Sequence, residues 1–202
     1  EICACLVGSE MCIRDSVKGV RIGIKLPDTV NIMIEEESVV YAIKSSDGQW
    51  WMMDSDGRVV EQANNAKAAT ATQVLGVTLE APTVNEKGVA TEMTPSETNE
   101  LGELIPVSTT GAQRLTAALQ ILKALENNDI VGEAASVDVT STEDIILWYG
   151  TRYQVNLGDT SRLDYKVDCM NDAILQMSDY QSGVLDISFT IWPNQVGYTP
   201  FA

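Results

Sequence analysis

An α+β fold, in which a mostly antiparallel β domain carries two helices packed on its sheet, is what this sequence predicts. Three observations predict it. Short runs of alternating apolar and polar residues recur along the chain, divided by Asp-Gly and other glycine-bearing turns. Two stretches, 111–125 and 161–177, instead repeat their apolar residues at helical spacing. Of the 202 residues, 45% are hydrophobic and 21% charged, the balance of a chain that folds rather than one that stays disordered.

Taken in order, the first readable segment is 17–27, where Val20, Ile22, Ile24 and Leu26 alternate with Arg21, Gly23 and Lys25. That pattern is a half-buried strand, and Pro27-Asp28 turns it. Val30, Ile32 and Ile34 alternate in the next strand, 29–37, and "VVYAI" (39–43) follows. Asp47-Gly48 and Asp56-Gly57 flank "QWWMMD", and "RVV" (58–60) comes after the second, so this part reads as a meander. "DSDG" (54–57) places its glycine at position 4, whereas a calcium loop needs it at 6 with a glutamate at 12, so it reads as a turn.

Residues 61–110 read as a long connection. They hold one apolar cluster, Val74, Leu75, Val77 and Leu79, followed by an acidic stretch (83–106) broken by Pro95, Gly102 and Pro106. Thr110 with Gln113 forms a capping box for a helix whose stripe is Leu115, Ala118, Leu119, Leu122 and Leu125, and Asn127-Asn128 ends it. Strands follow at 136–139, 144–149 and 152–158. The second helix begins near Ser161, and Leu163, Val167, Met170, Ile174 and Met177 form its apolar stripe, a pattern that signals core. Cys169 beside this stripe is expected to be a buried, inert thiol. The last strand is read over 183–192, with Leu185, Ile187, Phe189 and Ile191 on one face.

Charge and composition exclude several functions. The formal charge is -16, which disfavours nucleic acid, and the absence of histidine removes His-based triads, His general bases and His metal ligands. No apolar run approaches the roughly 18–20 residues that span a bilayer. No P-loop, dinucleotide fingerprint or nucleophile elbow occurs in the sequence. Cys3, Cys5 and Cys12 have a C-x-C-x6-C spacing unlike a zinc site, and "EICACLV" lacks the basic start of a signal peptide. The string "VGSEMCIRDS" instead resembles a translated sequencing adapter. Residues 1–16 are therefore set apart as a non-native scar, and the true beginning of the protein is expected to be missing.

From Val17 to Trp192 the chain resembles the extracytoplasmic region of the FtsQ/DivIB bacterial cell-division family. Four stretches carry the resemblance. "LPDTVNIMIEEESVVYAI" is similar to the close of the family's POTRA domain, with Pro27 and Glu36 in the matching places and Val39 where proline is frequent. "WWMMDSDGRVV" resembles the opening of its β domain, through Asp54 and Gly57. "YQVNLGDTSRLDYKVDCMNDAIL" places Gly158, Leu163 and Lys166 as the family does, and "GVLDIS" does so for Asp186. Each motif is short, and their order and spacing carry the case. The resemblance implies residues 17–46 as the C-terminal strands of a truncated POTRA domain and 47–202 as an FtsQ/DivIB-like β domain. A transmembrane anchor is expected in the full-length protein, with this region on the extracytoplasmic side of the cell membrane.

The function so implied is a non-enzymatic divisome scaffold that binds FtsB/DivIC-like and FtsL-like partners during septum formation. No cofactor, metal or catalytic residue is expected. The residues expected at the partner interface are Lys166, Ser188, Phe189, Ile191 and Trp192. A strand over 185–192 at an exposed sheet edge would accept a partner strand through its unpaired backbone groups, and aromatic side chains would anchor it. Pro193 would mark where pairing stops, and with the sequence ending at Ala202 no later element is expected to cover that edge unless the last residues fold back. Leu185 and Ile187 read as core rather than interface. Two rivals stay open: an extracellular β adhesion module, favoured if helix 161–177 does not pack on the final sheet, and a carboxylate-dependent cell-wall glycan hydrolase.

Overall fold

The computed structural model describes residues 17–25, 29–36, 41–92, 109–128, 130–178, 180–190 and 194–201. The chain divides into two units between Val39 and Val40. In the first, β1 (Val17–Lys25) and β2 (Thr29–Glu36) form an antiparallel hairpin. Its register sets Val20 opposite Ile34, Ile22 opposite Ile32 and Ile24 opposite Val30. The cysteines of residues 1–16 lie outside the described residues.

In the second unit the described strands are β3 (Tyr41–Ser45), β4 (Trp50–Met53), β5 (Val59–Ala63), β6 (Thr72–Leu79), β7 (Ala134–Asp138), β8 (Ile145–Tyr149), β9 (Tyr153–Gly158), β10 (Gly183–Asp186) and β11 (Gly197–Pro200). Among the described residues they make one nine-stranded sheet in the order β11-β10-β9-β8-β7-β6-β3-β4-β5. Its pairings are antiparallel except β3 with β6, β6 with β7 and β9 with β10. With helices α1 (Asn65–Ala68), α2 (Gly111–Asn127) and α3 (Leu163–Leu175), the fold is α+β with a mostly antiparallel sheet.

Two of the parallel pairs need crossovers, and the helices supply them. α2 carries the chain from β6 to β7, and α3 from β9 to β10. Both helices bury the stripes legible in the sequence. Leu115, Ala118, Ile121, Leu122 and Leu125 of α2 and Leu163, Val167, Met170 and Ile174 of α3 share one core with Tyr41, Val137, Leu147, Val155 and Leu185. Each large aliphatic side chain buried this way contributes about 1.5–3 kcal/mol. The capping box is present: Thr110 Oγ1 accepts from Gln113 N at 3.2 Å, and Gln113 Oε1 accepts from Thr110 N at 2.8 Å. Asp54 makes the expected turn, its Oδ1 accepting from Arg58 N at 2.7 Å while Gly57 takes φ +81°.

Three assignments change. β3, placed by sequence with the first segment (17–46), is hydrogen-bonded into the second unit between β4 and β6. Its Tyr41, Ala42 and Ile43 are all fully buried, because both faces of this inner strand are covered. Short α1 packs against β3, β4 and β5, and its Ala68 is buried with Ala42 and Met52 outside the main core.

β6, read as part of a connection, is instead an inner strand. Thr72 and Val74 point into the core, and so do Val77 and Leu79, but the two pairs are out of phase by one residue. Gly76 at φ +83° makes that slip, so Val74 lies opposite Ile43 while Thr78 lies opposite Lys44. A bulge of this kind erases strict alternation. The third change, at the end of the chain, remakes the candidate site.

Candidate partner-binding surface

β10 ends at Asp186, not near residue 192. The Asp186 carboxylate accepts from Ser188 N at 3.0 Å and from Ser188 Oγ at 2.7 Å. A side chain that captures a nearby backbone donor in this way competes with the strand ladder and turns the chain. Phe189 follows at φ +59°, a left-handed conformation uncommon for a bulky residue. Ile187 still reaches the core, fully buried beside Leu185 as their alternation implied. Ile191 and Trp192, expected at the interface, lie outside the described residues.

The chain then folds back. Asn194 takes φ +56°, and β11 pairs antiparallel with β10, Gly197 opposite Asp186 and Pro200 opposite Gly183. β10 therefore lies between β9 and β11, so the edge expected over 185–192 is covered. Among the described residues the open edge belongs to β11. Phe201 N donates inward to Ser182 O at 3.2 Å, so residues 197 and 199 also turn their backbone groups towards β10. Tyr198 thereby presents N–H and C=O outward, and Pro200 only its C=O. The opposite edge of the sheet, β5, differs: Val59 N donates to Glu86 O at 2.9 Å and its C=O accepts from Asn85 N at 2.7 Å.

The residues singled out in the 158–166 and 186–188 stretches converge on one corner and hold it. Gly158 sits at φ +66°, and a Cβ there would lie 2.8 Å from the Ser188 Cβ, so only glycine allows this approach. Lys166, expected at the interface, is 1% exposed. Its ammonium donates to Leu157 O, Asp159 O and Asp159 Oδ1, each at 2.8 Å. An ammonium has three donors, and all are used within the chain. Lys166 is thus a tie between α3 and the end of β9 rather than a group offered to a partner. The same hydrogen bond, with a second from Ser161, holds the Asp159 carboxyl down at about 2.

What this corner presents is a cluster of Phe189, Tyr165 and Arg162. The rings of Tyr165 and Phe189 are 5.6 Å apart, and the Arg162 guanidinium lies 4.4 Å from the first and 5.8 Å from the second. Arg162 Nη1 also donates to Asn194 Oδ1 at 3.1 Å, which ties the returning chain to the start of α3. Arg162, Phe189 and Asn194 all have left-handed backbones (φ +55°, +59° and +56°). Such strain persists only where surroundings impose it, and it gathers at functional surfaces. Cys169, expected to be buried, is half-exposed one turn along α3. Its thiol, hydrogen-bonded to the Tyr165 hydroxyl, raises the pKa of that phenol above its ordinary value, while Arg162 opposes the shift.

Sequence reasoning named Phe189 and Ser188 but missed Arg162, Tyr165, Asn194 and β11. Pro193-Asn194 was the available signal for a turn back, and Val196 and Tyr198 for a short strand after it. Among the described residues no cluster of three or more Cys, Asp or Glu is placed to hold a metal ion, and no helix is long and apolar enough to cross a membrane. Among the described residues this end of the chain offers an open ladder edge and an Arg–Tyr–Phe cluster, tied to the returning chain by the Arg162–Asn194 bond. No protein-family model matches this sequence, and no curated protein matches it either.

Proposed function

We propose that this chain is a non-enzymatic scaffold of the bacterial divisome. It binds FtsB/DivIC-like and FtsL-like partners outside the cytoplasmic membrane during septum formation. The observation that carries the binding mode is the edge of β11 left open among the described residues, with outward Tyr198 N–H and C=O groups, on the chain that Asn194 ties to the Arg162–Tyr165–Phe189 cluster. A partner strand adds to that edge through backbone hydrogen bonds, and the aromatic–arginine cluster anchors its flank. The choice of partners rests on the order and spacing of the four motifs across residues 17–192. Gly158, Lys166 and Asp186, three of the four residues of the last two motifs, build the corner that displays the cluster. Because α3 packs its stripe into the same core as β9 and β10, the condition that favoured a solitary adhesion module is not met.

The test is isothermal titration with the ectodomain of an FtsB/DivIC-like partner. Tyr198→Pro removes the outward donor and is expected to abolish binding, while Tyr198→Ala keeps that donor and is expected to retain most of it. Phe189→Gly removes the ring but suits the left-handed backbone, so it is expected to weaken binding with the circular dichroism spectrum retained, at some loss of melting temperature because the ring also packs against the core. Wild-type affinity in Tyr198→Pro would move the docking site elsewhere. Failure of the wild-type chain to bind either partner would overturn the divisome reading itself.

A further inference from the structure

We infer that the groove between α3 and β11 docks a basic amphipathic segment of another protein. Its apolar side chains enter the groove, and its Lys or Arg side chains lie along an aspartate ridge on α3. The groove is a cavity of about 390 Å³ lined by Cys169, Ala173 and Met177 on one wall and Val196 and Tyr198 on the other. Asp172 and Gln176 complete the lining, so among the described residues the sole charge on the groove is negative. Such a recess, apolar with one charged residue, suits a large aliphatic side chain flanked by a cation.

Charge complementarity commits the occupant. Asp164, Asp168 and Asp172 stand four residues apart, which places them in a row on one face of α3, and all three are exposed. Among the described residues none of them forms an ion pair. The two cations of this helix and its cap are already engaged: Lys166 inside the protein, and Arg162 on Asn194 and the two rings. Like charges four apart repel along a helix, and Asp172 also faces the negative end of the helix dipole. A cationic segment relieves both. Leu175, 75% exposed, extends the ridge by one more turn with an apolar group for the segment to cover. With a net charge of -16, a second copy of this chain or an anionic membrane is repelled from the same surface.

This surface is separate from strand addition at β11, which uses outward backbone groups rather than the groove. A labelled Leu/Lys amphipathic helical peptide is the probe, because a helix has no free ladder groups to add to an edge. Polylysine of the same length and a Leu/Glu counterpart are its controls, read by fluorescence anisotropy. The full chain is expected to bind the Leu/Lys peptide, to bind polylysine more weakly and to ignore the Leu/Glu peptide. Asp168→Lys with Asp172→Lys is expected to weaken binding roughly tenfold, as the loss of two surface charge contacts implies. Glu80→Lys with Glu143→Lys, the same charge change on exposed sites elsewhere, is expected to leave it within about twofold. Ala173→Trp fills the groove without altering charge and is expected to weaken the Leu/Lys peptide but not polylysine. Circular dichroism checks that each variant is folded. Equal weakening by both charge reversals, equal binding of polylysine, or no binding by the wild-type chain would overturn the inference.

Discussion

Lys166 is buried with its charge, and the reason it can be is local. Three acceptors from Leu157 and Asp159 meet its three donors, so no proton of the ammonium is left without a partner. Replacing it by methionine keeps the packing of the stem but leaves two backbone carbonyls without donors. Lys166→Met is expected to lower stability by about 2 kcal/mol, the scale of charge-assisted hydrogen bonds, measured by urea unfolding. The same pair predicts a pH dependence. The Asp159 carboxyl is held at about 2 in the folded chain, below its ordinary value of about 4. A depressed folded value means the stabilisation is fully present above about pH 4 and is lost as pH falls towards about 2. The stability difference between the wild type and Asp159→Asn is therefore expected to be constant from pH 7 to about 5 and to vanish near pH 2. A difference that grows in acid would contradict this pairing.

Among the elements, β6 shows how one residue sets a strand's phase. At Gly76 both the left-handed backbone and a close approach demand glycine: an added Cβ would lie 2.2 Å from Thr140 N. Gly48, at φ +80° in the β3–β4 turn, has the same backbone demand with nothing within 4 Å. Gly48→Ala is expected to cost about 1 kcal/mol, the left-handed penalty alone. Gly76→Ala is expected to cost at least about 2 kcal/mol more, because β6 and the chain after β7 must part. Paired urea titrations of the two variants separate strain from clash. α3 teaches a related lesson at its start. The helix was expected to begin near Ser161, but the Ser161 hydroxyl bonds to Asp159, and the N-cap position belongs to Arg162 with no side-chain cap. What anchors this end of α3 is therefore Lys166 and the Arg162–Asn194 bond rather than a capping side chain.

For the whole molecule, the net charge of -16 is a standing repulsion that folding must overcome. The melting temperature is expected to rise as salt goes from about 0.01 M to about 0.15 M, since the screening length falls from about 30 Å to about 8 Å. A melting temperature that falls over that range would mean attractive pairs outweigh the repulsion. How much of the architecture could be read beforehand divides along the same scale. Features that depend on neighbours within a few residues were legible: the Thr110–Gln113 capping box, the stripes of α2 and α3, the Asp54 turn, and the strands from β7 to β9. Phe189 and Ser188 became candidates through the family resemblance, on a run whose alternation suggested a continuing strand. Whether that run stays a strand was decided elsewhere, by Asp186 taking the Ser188 N–H and by Gly158 admitting Ser188 at close range. Which strand is inner and which is edge was likewise out of reach, because it depends on backbone groups that find partners far along the chain. β3 pairs with β6 across two intervening strands and α1, and the fold-back after Asn194 covers β10 with β11. Sequence by itself determined the periods of this protein, because a period is written in adjacent side chains. Tertiary structure alone decided its open edge and its buried lysine, because both are set by what remains unpaired once distant segments have met.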